Sequence, residues 1–162
     1  MKEEILDITK SQDIIGKYLS IPESQIITSI KELKISAPLV MKIISPDAIH
    51  KTDVGGVSIV HRSEEIESSF NSLISTAKKN KLKLKGILVQ KFVEGHQLII
   101  GLKKDSVFGH VILFGLGGVF TELLDDISIR KCPIEISEAE EMIKELKSRK
   151  LFEGFRNINL NT

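Results

Sequence analysis

The stretch LVMKIISPDAIHKTDVGGVSIVH, residues 39–61, sets one strand before and one strand after a single polar loop. LVMKII (39–44) is a short apolar run ending at Ser45-Pro46, which reads as a buried strand entering a loop. Gly55-Gly56 closes that loop, and VSIVH (57–61) reads as the strand leaving it. Lys42 interrupts the apolar run. Burying an ammonium without a partner is costly, so this lysine is expected at an edge or facing an anion. Gly55 and Gly56 carry no Cβ, so their backbone N–H groups can approach a phosphate closely. His50, Lys51, Thr52 and Asp53 place an imidazole, a cation, a hydroxyl and a carboxylate in succession. A histidine beside phosphates can act as acid, base or phosphoryl acceptor. The same residues also fit a Gly-Gly hairpin with solvated polar side chains, and composition alone does not separate the two. Neither a Walker A pattern nor a GxGxxG fingerprint occurs.

Working outward, residues 3–19 have the apolar spacing of a helix, with Pro22 marking its end. Ser63 is a candidate N-cap for a helix over about 64–79, whose stripe is Ile66, Phe70, Leu73, Ile74 and Ala77. GILVQKFV (86–93), QLIIGLKK (97–104) and HVILFG (110–115) read as strands. Their tight connections favour antiparallel neighbours. FGLGGVFTELLDD (114–126) forms a second glycine loop with an acidic exit. Glu122 and Asp126 would share a face if a helical turn formed there, and acidic groups beside a phosphate loop could hold Mg²⁺. A plain β-turn with a solvated acidic exit fits these residues equally well. In DISIRK (126–131), Ile127 and Ile129 alternate with Ser128 and Arg130, as in a half-buried strand. Ser137 and Glu140 fit a capping box before the stripe Ala139, Met142, Ile143 and Leu146. This order of elements favours an α+β fold over a doubly wound parallel sheet.

The chain of 162 residues carries a net charge of +1, from 23 basic and 22 acidic side chains. No global excess of positive charge points to nucleic acid or to an anionic membrane. Any phosphate site must therefore be local. Cys132 is the only cysteine, which excludes an internal disulfide and disfavours a thiolate metal cluster. His61, His96 and His110 have no metal-ligand spacing and read as structural or exposed. The acidic N-terminal segment MKEEILDITK does not resemble a signal peptide, and no apolar run approaches membrane-spanning length. The chain is expected to be soluble and cytoplasmic.

Taken together, SPDAIHKTDVGGV (45–57), VQKFV (89–93), LIIG (98–101), DSVFG (105–109), FGLGG (114–118), the later Arg130 and Pro133, and GFR (154–156) resemble the ATP-grasp domain of the NDP-forming acyl-CoA synthetases. The resemblance spans nearly the whole chain. It implies an ATP-grasp-like α+β fold of two small lobes, antiparallel strands and flanking helices around a nucleotide cleft. The first lobe would be 1–85 with the HKTDVGG loop, and the second 86–162 with the hinge and the FGLGG loop. The implied reaction interconverts acyl-CoA, ADP and phosphate with acid, CoA and ATP. It uses ATP/ADP with Mg²⁺ and a partner CoA-binding subunit that carries another phosphohistidine. By the same resemblance His50 is the phosphoryl-accepting residue. Lys42, Lys51, Gly55, Gly56, Val89, Gln90, Phe92, Val93, Gly117, Gly118, Glu122 and Arg130 fall at nucleotide-binding positions, Val89 to Val93 forming the hinge beside adenine. Gln97 stands where the family usually has Glu. The family's later Asn-Pro segment and following Asp, which supply magnesium ligands, have no counterpart here. The second lobe therefore reads as C-terminally incomplete, the metal ligands stay unassigned, and the chain alone is expected to bind MgATP weakly. The alternative from a different class is a catalytically incomplete ATP-grasp module with a binding or regulatory role.

Overall fold

The computed structural model describes residues 8–47, 55–118 and 125–151. The run LVMKII forms strand β2 (Leu39–Ile44), in which Leu39, Met41 and Ile43 are fully buried while Val40, Lys42 and Ile44 are half-buried. The period of two puts the first set on one face of a sheet and the second set on the other. β2 pairs antiparallel with β3 (Val57–Val60) on one side and with β4 (Gly86–Lys91) on the other. β1 (Ser24–Ile27) pairs with the far edge of β4, giving a four-stranded antiparallel sheet of order β1-β4-β2-β3. Helix α2 (Ile66–Lys79) lays Phe70, Leu73 and Ala77 on the face that carries Leu39, Met41 and Ile43, and Ile66 and Ile74 pack against the margin of this core. The helical stripe read from the sequence is the stripe that is buried.

Several expectations change. A 3₁₀ turn, Ser63–Glu65, precedes α2, and Ser63 caps nothing with its side chain; Arg62 instead pairs with Glu65 at 2.6 Å. The N-terminal helix is present as α1 (Ile8–Ile15) and stops at Gly16, short of Leu19. A Cβ at Gly16 would lie 2.6 Å from Ile21 Cδ1, so the chain folds back there. Gln12 and Ser24 exchange side-chain hydrogen bonds of 3.1 and 3.2 Å, tying α1 to β1. The larger correction concerns β4. It lies inside the first sheet and does not pair with the strand that follows it. Ile87, Leu88 and Val89 are all buried, as fits a strand flanked by neighbours on both sides. The chain accordingly divides between Glu94 and Gly95, not at 85/86, into two compact units.

In the second unit β5 (Leu98–Asp105) and β6 (Gly109–Leu116) form a hairpin, and β7 (Ile127–Lys131) pairs with β6, for the order β5-β6-β7. The Asp105 carboxylate fixes the turn by accepting from the N–H groups of Val107 (2.8 Å) and Phe108 (2.9 Å). Helix α3 (Ile136–Glu145) lies against one face, burying Met142 and leaving a cavity of about 230 Å³ lined by Ile100, Ile112, Phe114, Ile134, Met142 and Ile143 among others. The capping box belongs to Glu135 and Glu138, not to Ser137 and Glu140. β7 also faces opposite to expectation: Ser128 is 5 % exposed, whereas Ile129 is 51 % exposed. The polar side tolerates burial because Glu145 satisfies it. Ser128 Oγ donates to Glu145 at 2.8 Å, and Arg130 makes an ion pair with the same carboxylate. Among the described residues no helix is long and apolar enough to cross a membrane.

Asp126, 4 % exposed, anchors the end of this unit. Its oxygens accept from the N–H groups of Lys147 (2.7 Å) and Ser148 (2.8 Å), at the start of the 3₁₀ turn Lys147–Leu151. Burial pushes the Asp126 carboxyl up, but the N–H groups of Lys147 and Ser148 and the Lys147 charge hold it below the ordinary value. A lowered folded-state value means that the stabilisation is full above the unfolded-chain value of about 3.9 and is lost as pH falls through the folded one. Asp126→Asn should therefore cost about 1–3 kcal/mol at neutral pH. Urea denaturation of both proteins from neutral to acid pH should show the difference closing only below about pH 4. A difference independent of pH would mean that the charge of Asp126 is not what holds the turn.

Candidate functional site

The site begins at Lys42, on the face of the first sheet opposite α2. Cross-strand register sets Val57 and Leu88 beside it and places Gln90 opposite Val40 on the same face. Lys42 Nζ donates to Gln90 Oε1 at 2.9 Å. Ile26 and Ile59 share this face and are 44 % and 53 % exposed. A cation thus sits on a partly open apolar surface. Such a surface can take a flat apolar group together with an anionic tail. The sequence marked both Lys42 and Gln90, but not their contact, because nothing local in the chain shows that β2 and β4 are neighbours.

The hinge residues continue from β4. Val89 is buried and paired with Gln25 and Met41, so its backbone belongs to the sheet. Phe92 N donates to the Pro38 carbonyl at 3.0 Å, and the His61 ring meets Phe92 edge-on at 5.6 Å. His61 is thereby a packing residue. Val93 is 67 % exposed.

Both stems of the first glycine loop are fixed. Ser45 Oγ accepts from Asp47 N at 3.2 Å, and the Asp47 carboxylate accepts from Lys83 N at 3.0 Å. On the other side the buried Gly56 gives its carbonyl to Ile43 N at 2.9 Å. Gly55 has φ +67°, a conformation that side chains disfavour, yet a Cβ there would meet only Thr76 Cγ2, at 4.0 Å. Gly55 is thus required by backbone conformation rather than by crowding. His50 and Lys51 lie outside the described residues.

In the second unit Gly117 N donates to the Gln97 carbonyl at 2.7 Å. A Cβ at Gly117 would stand 3.0 Å from the backbone of Gln97 and Leu98, and one at Gly118, where φ is +65°, would collide with Gln97 Oε1. Gly117 is therefore demanded by the backbone's own approach at 97–98, and Gly118 by its left-handed backbone, since the Gln97 side-chain end can move aside. Glu122 lies outside the described residues. Arg130 is 24 % exposed at its side chain and engaged by Glu145, which holds the guanidinium more firmly protonated and the carboxyl below its usual range. Both oxygens of Asp126, which the sequence allowed as a metal ligand, accept from backbone N–H groups of the Lys147–Leu151 turn. Among the described residues no group of three His, Cys, Asp or Glu side chains could hold a metal ion.

The chain matches the model of the ATP-grasp domain over residues 2–161. It is 35 % identical to the β subunit of acetate–CoA ligase [ADP-forming] I from Pyrococcus furiosus, over 91 % of this chain and 68 % of that one. It is 42 % identical to acetate–CoA ligase [ADP-forming] I of Archaeoglobus fulgidus, over 75 % of this chain but only 18 % of that longer protein. The chain thus spans about a fifth of the length of such longer relatives. Among solved structures it resembles the dinucleotide-forming acetyl-coenzyme A synthetase 1 of Ca. Korarchaeum cryptofilum with coenzyme A, Ca-AMPCP and HgCl⁺. The TM-score is 0.86 at 39 % identity, covering 93 % of this chain and 70 % of that one. The same synthetase has been solved with coenzyme A and Mg-AMPPCP, its phosphohistidine segment pointing towards the nucleotide binding site (TM-score 0.72, 41 % identity, 93 % and 68 % covered). The alternative of a regulatory, catalytically incomplete module finds no support among these relatives, which are named as ligases or synthetases. By its fold, its matched length and these relatives, the chain belongs to the ATP-grasp family, in the group of the β-type chains of ADP-forming acetate–CoA ligases.

Proposed function

We propose that this chain is the nucleotide-binding part of an ADP-forming acyl-CoA ligase, which interconverts acyl-CoA, ADP and phosphate with acid, CoA and ATP. The observation that carries the reading is the Lys42 ammonium, held at 2.9 Å by Gln90 on the open apolar face of the first sheet. The adenine ring would lie against that face and the backbone of Val89 to Val93, and Lys42 would meet the phosphates. Lys51, Gly55, Gly56, Gly117, Gly118, Glu122 and Arg130 are proposed to complete the nucleotide surroundings. The contact between Arg130 and Glu145 would have to loosen for Arg130 to take part. Mg²⁺ would accompany the nucleotide and neutralise part of its phosphate charge.

His50 is proposed to carry the phosphoryl group. A ring nitrogen of neutral His50 would attack the γ-phosphorus of ATP, forming an N–P bond as the bond to the ADP oxygen breaks, and the reverse transfer would regenerate ATP. The loop's described stems are fixed at Ser45–Asp47 and at Gly56, which would give a phosphoryl-carrying histidine between them two firm points of attachment. The second site would belong to a CoA-binding subunit bearing the other phosphohistidine, where a small acid, CoA and phosphate react. Dependence on ATP and CoA fits a cytoplasmic location.

The test is phosphoryl labelling. With labelled ATP and the CoA-binding subunit, the wild-type chain should acquire an acid-labile, base-stable label, and His50→Ala should acquire none. Equal labelling of the variant would remove His50 from the relay. Separately, Lys42→Met should weaken nucleotide binding by about tenfold or more, as loss of a charged hydrogen bond predicts. Its melting temperature should change little. Calorimetric titration beside thermal melts checks this, and unchanged affinity with lowered stability would make Lys42 a structural residue.

A further inference from the structure

We propose that Gln90 is a positioning residue, whose side-chain amide holds the Lys42 ammonium at the place where it meets the nucleotide phosphates. This rests on the reading of Lys42 given above. Gln90 lies on the central strand of the first sheet, paired with Ser24 on one side and Val40 on the other, so its backbone is fixed from both directions. A group on such a strand is placed more firmly than one on a loop. Its amide oxygen accepts from Lys42 Nζ at 2.9 Å across the β2–β4 pairing. The ammonium has only donors to offer, so the amide must present oxygen to the lysine and direct its N–H₂ elsewhere. Leu88, 2 % exposed, lies directly opposite Lys42 in the same register.

The choice of an amide matters. A carboxylate at this position would orient the lysine equally well, but it would add a negative charge beside the incoming phosphates. A methionine would keep the length of the side chain and remove the strong acceptor. Gln90 orients the ammonium while contributing no charge of its own.

The experiment uses the full chain and two readouts. The first is acetylation of Lys42 by acetic anhydride, followed by mass spectrometry without nucleotide. Gln90→Met should expose the amine and speed its labelling several-fold, and Gln90→Glu should slow it. The second is ATP affinity by calorimetry. Both variants should bind about tenfold more weakly than wild type, as for loss of one charged hydrogen bond or gain of one nearby repulsion. Gln90→Met should not weaken binding further when Lys42→Met is already present, whereas Gln90→Glu still should, because its repulsion of the phosphates does not act through the lysine. The lack of additivity for Gln90→Met is what a merely structural glutamine would not produce. If Gln90→Met matches wild type in labelling and in affinity while Lys42→Met weakens binding, Gln90 positions nothing and the reading of Lys42 stands. If Lys42→Met leaves affinity unchanged, the nucleotide role of Lys42 fails and takes the positioning role with it.

Discussion

An ammonium in the middle of an otherwise apolar strand needs an acceptor, and most of the first unit can be understood from how that need is met. Lys42 sits among Val40, Ile44, Val57 and Leu88, none of which can accept a side-chain hydrogen bond. One acceptor comes from a strand far along the chain. Gln90 reaches Lys42 only because β4 inserts between β1 and β2. The insertion also leaves Ile87, Leu88 and Val89 buried. One topological choice therefore satisfies a cation and closes a core. It leaves a face with a fixed charge and exposed isoleucines, which suits a ligand that is flat and apolar at one end and anionic at the other.

Elements whose signal is local were legible in the sequence. β2 was bounded by its apolar run and by Ser45-Pro46, and α2 by a stripe that needs no knowledge of distant partners. What depended on pairing was not legible. β4 reads like its successors β5 and β6, and its membership of the other sheet appears only in the register with Gln25 and Met41. β7 was read with its faces reversed. Alternation says that Ile127 and Ile129 should be inside, but Glu145, from α3, satisfies Ser128 and Arg130 and makes the polar side the buried one. By residue type Ser137 is the better cap, and only the observed start of α3 moves the box to Glu135 and Glu138.

The candidate site divides in the same way. Lys42 and the paired glycines were visible as residue types, because an isolated cation and a Gly-Gly pair are unusual wherever they fall. Their reasons were not visible. Gly55 and Gly118 are needed for their left-handed backbone, whereas Gly117 is needed because the backbone of Gln97 and Leu98 presses against it. Asp126 looked like part of an acidic cluster and is instead the cap of a 3₁₀ turn. In each case the type of residue was informative, and the partner that decides its role lay elsewhere in the chain.

The position of β4 also fixes the order in which the first unit can assemble during synthesis. Among the described residues β1 pairs with no strand but β4, and β2 lacks one of its two neighbours until β4 is made. A nascent chain that has reached only the end of α2 therefore carries the β2–β3 pair with the β4 side of β2 open and an apolar face only partly covered. Such exposed edges are what chaperones and unwanted strand pairing act upon. The sheet closes only when residues 86–91 leave the ribosome and fill the gap from the middle. The hairpin of β5 and β6 has no such wait, since its partners are separated by one short turn and can pair as soon as they emerge.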